Sequence, residues 1–206
     1  KHSDNKNMKK NFAFFVFILI FSSFFGFAEK RPGPRDKIIG FDVGLVTCIP
    51  VYGDTSSPYK NRVVIGNDGD ISLKIGAPLK ILFGYDLIGD INWDKNEHSN
   101  HLDYAFWSGV KIYPGIGGLN GTLAYALGAR TDFIDEKVFD ENGDSKTRSV
   151  VETTAWGNGF KIGVEYDFLY DSNRRTMPAL GFFYRLMPRG NNNYDNIFAF
   201  YINMGF

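Results

Sequence analysis

The chain has 206 residues with 23 basic and 23 acidic groups, 44% hydrophobic residues, 17% aromatic residues and 23 glycines. Zero formal charge gives no electrostatic footprint for nucleic acid, which needs a basic stripe or patch. Cys48 is the one cysteine, so an intrachain disulfide framework is excluded, and a small wall side chain is its expected role. Many aromatics with many glycines fit tightly curved β-structure better than helices.

The N-terminal stretch reads as a secretory signal peptide. Lys9 and Lys10 form a basic n-region, Phe12 to Phe21 is an apolar run, and Gly26-Phe27-Ala28 offers small residues at a cleavage site. Met8 is the expected start, with residues 1–7 upstream of it. The alternative, an uncleaved anchor over 12–28, is short for a span of about 20 residues. Glu29 rather than Cys stands directly after Ala28, which argues against a lipoprotein. This divides the chain into 1–28, a short periplasmic segment at 29–36, and one domain at 37–206. Removing the four lysines and one aspartate before residue 29 leaves a small acidic excess. No second run of apolar residues is long enough for a membrane helix. A mean hydropathy of −0.20 is still compatible with a membrane barrel, in which only alternate residues meet lipid.

From residue 37 onward the hydrophobic period is two, which places alternate side chains on opposite faces of a strand. Lys37–Val51 sets Ile39, Phe41, Val43, Leu45 and Ile49 against Asp42, Gly44 and Cys48. A polar loop at 52–61 leads to a second strand over 62–75. Asn67-Asp68-Gly69-Asp70 interrupts that strand as a bulge or as part of the loop. The third strand, 79–92, sets Leu79, Ile81, Phe83, Tyr85, Leu87 and Ile91 against Lys80, Asp86 and Asp90. After a loop at 93–100, the fourth strand, 101–113, sets Leu102, Tyr104, Phe106, Val110 and Ile112 against Asp103, Trp107 and Lys111. Pro114 to Gly118 is a tight turn. The fifth strand, 119–133, places Arg130 and Asp132 opposite Leu123, Tyr125 and Leu127. A charged loop at 134–149 precedes a sixth strand over 150–169, with Lys161, Glu165 and Asp167 on its polar face. The seventh, 176–188, carries Phe183 and Arg185 opposite Leu180, Phe182 and Tyr184. A loop at 189–196 leads to the last strand, where Phe198, Phe200, Ile202, Met204 and Phe206 share one face.

The connections alternate between long and short, starting long, as in an up-and-down barrel. The fold expected is all-β: an eight-stranded antiparallel transmembrane β-barrel. It points its apolar face outward into lipid and its charges inward. The alternative is a water-soluble barrel or sandwich with the same alternation turned inside out.

The pattern resembles the small eight-stranded outer-membrane barrels, the OmpW-like and OmpA-barrel-like group, over most of 37–206. The resemblance implies a monomer in the bacterial outer membrane, with Phe198, Phe200, Ile202, Met204 and Phe206 acting as the signal for the outer-membrane assembly machinery. It also implies outer-membrane lipid as a partner, and small solutes, hydrophobic ones among them, as candidates for passage or binding. No cofactor and no metal are expected.

The candidate site is the lumen. Asp42, Lys74, Lys80, Asp86, Asp103, Lys111, Arg130, Lys161, Glu165, Asp167 and Arg185 point inward, five or six of each sign. An isolated charge there is costly, so opposite signs should pair. Lys111 with Glu165 and Arg185 with Asp167 are example pairings. Such a network either plugs the barrel or opens as a narrow solute path. Trp107 and Phe183 point inward too, as a plug or as the lining of an apolar pocket. Asp94 to Asp103, with His98, Ser99 and His101, holds the elements of a rim-sited acyl-transfer or hydrolytic centre, but one loop's composition is weak evidence for catalysis. The expected function is a narrow pore or binder for small solutes. The alternative is a structural barrel or surface adhesin acting through its external loops.

Overall fold

A computed structural model describes residues 37–53, 62–76, 78–92, 98–139, 145–169, 176–190 and 193–206. The expected signal peptide, the segment at 29–36, and positions 54–61, 93–97, 140–144 and 191–192 of the polar loops lie outside these residues.

Nine strands are present among the described residues: β1 (Ile39–Val51), β2 (Arg62–Gly76), β3 (Leu79–Asn92), β4 (His98–Ile112), β5 (Leu119–Phe139), β6 (Ser145–Thr153), β7 (Gly157–Asp167), β8 (Met177–Gly190) and β9 (Asn193–Gly205). Eight of them close a barrel of antiparallel neighbours. β1 pairs with β2 and β9, β3 lies between β2 and β4, and β5 joins β4 to β7. Closure leaves no free edge in the barrel wall.

The alternation sorts the side chains as expected. Ile49 (65% exposed), Phe106 (59%) and Ile202 (65%) stand on the outer surface, while Arg185, Asp103 and Arg130 are 0% exposed. A protein folded in water does the reverse, because apolar burial drives folding and unpaired buried charge opposes it. This inversion makes hydrocarbon the matching solvent for the outer wall.

Five boundaries differ from the sequence reading. Asn67 to Asp70 form neither bulge nor loop: β2 runs unbroken through them, with Asp42↔Asp70 and Gly44↔Asp68 in register with β1. The segment at 134–149 is largely a hairpin, because β5 continues to Phe139 and β6 returns from Ser145. The sixth strand is accordingly two pieces. Register moves by one residue between Thr131↔Thr153 and Gly128↔Gly157, so Ala155 and Trp156 stand opposite Ala129 as a bulge. Trp156 packs against Phe106 and Tyr104 on the outer wall. Finally, the expected loop at 189–196 is mostly strand, since β8 runs to Gly190, at φ 91°, and β9 starts at Asn193, with Gly190 and Asn193 paired. β4 likewise starts at His98, three residues early.

β6 pairs only with β5 and ends the sheet order, so its other edge carries no strand among the described residues. The hairpin of β5 and β6 therefore extends the wall beyond the closed barrel at the loop end.

Candidate functional site

Period two fixes which side chains face inward, and the cross-barrel register fixes which of them meet. In the loop-side half of the lumen they form one chain of ion pairs. Lys161 Nζ donates to Asp86 Oδ1 at 2.6 Å, and Arg185 Nη1 donates to Asp86 Oδ2 at 3.0 Å. The other Arg185 fork nitrogen bonds Asp103. Asp103 also accepts from Arg189 Nη2 at 2.8 Å, and Arg189 Nε donates to Asp195 at 2.7 Å. Arg130 links Asp195 (2.8 Å) to Asp132 (2.7 Å). His101 Nδ1 lies 2.7 Å from the same Asp132 oxygen. Arg62 pairs separately with Asp90, its Nε donating at 2.8 Å. Five acids (Asp86, Asp90, Asp103, Asp132, Asp195) thus meet five bases (Arg62, Arg130, Lys161, Arg185, Arg189). Bidentate guanidinium–carboxylate geometry makes such contacts strong and directional.

Aromatic and aliphatic groups fill what the ions leave. Lys161 Nζ lies 4.2 Å from the Trp107 ring centroid and 4.0 Å from that of Phe183. Trp107 Nε1 donates to Asp86 at 3.1 Å. The two aromatics expected inward therefore clamp Lys161 onto its carboxylate. Val46, Cys48, Ile88, Phe183, Ile197, Ala199 and Tyr201 pack into one buried cluster beside them. At the loop end the Arg130 guanidinium carbon lies 4.4 Å from the Tyr52 ring centroid, and the Tyr52 and His101 rings are 4.8 Å apart.

The turn-side half has a different balance. Lys111 Nζ donates to Glu165 Oε1 at 2.9 Å and to Asp42 Oδ2 at 3.4 Å. Asn120 and Asn203 each give an Nδ2 hydrogen to Glu165 at 3.2 Å. Tyr113 OH donates to Asp167 at 2.9 Å. Lys80 lies over the Tyr113 ring at 5.4 Å, near the rim. Asp68 and Asp70 also face this half, without an ion-pair partner among the described residues.

Of the residues expected in the lumen, the structure brings Asp42, Lys111 and Glu165 into one contact set, and Asp86, Asp103, Arg130, Lys161 and Arg185 into another. Asp167 and Lys80 sit at the turn-side rim with Tyr113. The Lys111–Glu165 pair is present. The Arg185–Asp167 pair is not, because register carries Arg185 to Asp86 and Asp103 instead. Arg62, Asp68, Asp70, Arg189, Asp195, Asn120 and Asn203 are lumen groups that the sequence reading did not assign to the site. Phe198, Phe200, Ile202 and Met204 lie on the outer wall. Phe206 follows β9 and exchanges backbone hydrogen bonds with Phe41, at 2.8 and 3.3 Å. Ser99 and His101 are buried in β4 rather than lying in a loop, and the Ser99 hydroxyl has no hydrogen bond to the His101 ring. That is not a base–nucleophile pair. Among the described residues no three Asp, Glu, His or Cys side chains gather as a metal-chelating group.

The class defined by this architecture is the closed, all-antiparallel, eight-stranded β-barrel of the outer-membrane type. No protein-family model matches the chain, and no curated protein matches its sequence. Solved structures do. Ail, the attachment invasion locus protein of Yersinia pestis, is 7% identical with a TM-score of 0.57, over 82% of this chain and 97% of Ail. Neisserial surface protein A is 10% identical with a TM-score of 0.49, over 81% and 96%. The N-terminal β-barrel domain of Pseudomonas aeruginosa OprF is 10% identical with a TM-score of 0.40, over 81% and 97%. At these identities the likeness is one of fold, and the finer OmpW-like resemblance finds no matching family model.

Proposed function

We propose that this chain is a monomeric outer-membrane barrel with a closed lumen, serving as a rigid scaffold for contacts made at its loop end. The observation that carries this is the ion-pair chain from Lys161 through Asp86, Arg185, Asp103, Arg189, Asp195 and Arg130 to Asp132. An eight-stranded barrel is just wide enough for its own side chains. Opening a path through these groups would separate several buried opposite charges, each separation costing on the order of several kcal/mol. The pore reading needs that separation and the scaffold reading does not. The hairpin of β5 and β6, polar and exposed along β6, then supplies reach beyond the bilayer.

Export by a cleaved signal peptide, insertion through the terminal strand and residence among outer-membrane lipids belong to the same proposal. The apolar outer wall supports it, since β-barrels are one of two structures that satisfy every backbone polar group in hydrocarbon. Ail, whose name records attachment and invasion, shares the architecture.

The test pairs fractionation with electrophysiology. The detergent-extracted protein is expected in the outer-membrane fraction, with a gel mobility that changes on boiling. In planar bilayers it is expected to give no steady conductance. Regular single-channel steps would overturn the closed-lumen scaffold and restore the narrow pore.

A further inference from the structure

We propose that the turn-side half of the lumen binds a monovalent alkali cation between Asp68 and Asn203. The inference starts from a charge imbalance. The loop-side half matches five acids with five bases. The turn-side half places Asp42, Asp68, Asp70, Glu165 and Asp167 against Lys111; Lys161 also acts on Asp68 but is bonded to Asp86, and with the rim residues Lys80 and Lys74 the acids stay in excess.

Imbalance alone would not locate a site, but Asn203 does. Its side chain lies between two carboxylates, Glu165 and Asp68. Its amide nitrogen is committed to Glu165 Oε2 at 3.2 Å, so its carbonyl oxygen is turned toward Asp68. Rotating the amide would only move the conflict to Glu165, because an amide offers donors on one side and an acceptor on the other. Asp68 and Asn203 are each 4% exposed, and Asp68 Oδ1 and Asn203 Oδ1 both lack a hydrogen-bond partner among the described residues.

Gly44 makes room for both atoms. A Cβ placed there would lie 1.7 Å from Asn203 Oδ1 and 2.6 Å from Asp68 Oδ1. The two oxygens therefore converge over the bare glycine, close enough for one cation at roughly 2.3–2.6 Å, the range of hard-cation contacts to oxygen, to touch both. Two facing acceptors in a buried site repel unless a positive charge or a hydrogen-bond donor stands between them, and the acid excess here favours the charge. One carboxylate and one amide oxygen, without a chelating triad, suit sodium or potassium better than a divalent or transition metal.

The test uses the full barrel refolded in zwitterionic detergent, unfolded by heat in sodium chloride or in N-methylglucamine chloride at equal ionic strength. Sodium is expected to raise the unfolding midpoint by about 3 °C, the size given by a ligand some tenfold above its dissociation constant. Asp68→Asn, which supplies a donor to Asn203, is expected to abolish the difference, and Asp70→Asn to keep it. Sodium-23 relaxation on the native barrel reads the same site without any variant and is expected to show broadening that excess potassium reverses. Equal midpoints in the two salts, a sodium effect that survives in Asp68→Asn, or no broadening would each overturn the cation site. Equal midpoints combined with a more stable Asp68→Asn would assign the gap to a proton instead.

Discussion

Arg185 and Asp86, 99 residues apart in the chain, meet across the lumen with Nη1 donating to Oδ2 at 3.0 Å. Asp86 simultaneously holds Lys161 and Trp107, and Arg185 simultaneously holds Asp103. These two residues tie four strands, β3, β4, β7 and β8, through the barrel interior. Removing one partner of a buried pair strands the other in a poorly solvating site. Arg185→Met is therefore expected to lower the free energy of unfolding by about 3 kcal/mol, the lower end of the range for broken buried pairs, because Lys161 and Arg189 still reach the two carboxylates. Urea unfolding followed by gel mobility measures it. An unchanged midpoint would mean that the chain of pairs contributes little to stability.

A second expectation concerns the outer wall. Asn67 shares a face with Ile65 and Ile71 yet is buried. Tyr85 OH donates to Asn67 Oδ1 at 2.5 Å, and Asn67 Nδ2 donates to the Gly44 carbonyl at 2.7 Å. The tyrosine ring lies over Gly69, where a Cβ would stand 3.0 Å from it, and so covers a polar amide on an apolar surface. Tyr85→Phe keeps the cover but removes the donor, leaving Asn67 Oδ1 unsatisfied at a cost of about 1–3 kcal/mol. In an Asn67→Ala background the same change should cost much less, so a double-mutant cycle by urea unfolding isolates the hydrogen bond. Equal costs in both backgrounds would show that the bond contributes nothing.

What the sequence made legible follows from which signals are local. Inward placement of Lys111 and Glu165 could be read because period two assigns a face without knowledge of neighbours. Partner choice could not, because it depends on stagger around the barrel; Arg185 reaches Asp86 and Asp103 rather than Asp167. Asn67-Asp68-Gly69-Asp70 carries the local chemistry of a turn. In a barrel with a polar interior, Asp68 and Asp70 are ordinary inward residues, and closure overrides the turn preference. Arg189 and Asp195 look like loop residues in the sequence for a related reason: the asparagine-rich run beside them hides that β8 reaches Gly190 and β9 starts at Asn193. The β5–β6 hairpin looks like a loop in the sequence because a strand standing clear of hydrocarbon needs no apolar face. Only the pairing across β5 reveals it.

Cys48 gives a simple readout of the closed interior. Its side chain is 8% exposed and packs with Val46, Ile88 and Phe183. A thiol buried in such a cluster is protected, since reaction needs both access and the thiolate. Maleimide labelling of the folded barrel is expected to be negligible over the time that labels the urea-unfolded chain fully. Fast labelling of the folded form would show a water-filled path to the middle of β1.

A close steric fit between β3 and an indole yields the last expectation. A Cβ at Gly84 would stand 2.3 Å from Trp107 Cζ2 and 2.6 Å from the Gly69 carbonyl oxygen. Gly84 is thus where β3 lets the indole cross its backbone to reach Asp86 and face Lys161. Gly84→Ala must displace the ring, the wall or both, and overpacking of this kind costs about 1–3 kcal/mol. Displacing the indole also removes one side of the clamp on Lys161, so loss of stability should come with easier passage of ions through the barrel. Shrinking the ring with Trp107→Leu in the Gly84→Ala background should recover part of the stability, because the carbonyl contact remains. It should not restore closure, because the clamp is gone. Urea unfolding and bilayer conductance on the single and double variants check both halves. Full recovery of stability would place all of the strain on the indole, and no recovery would place it on the backbone of β2.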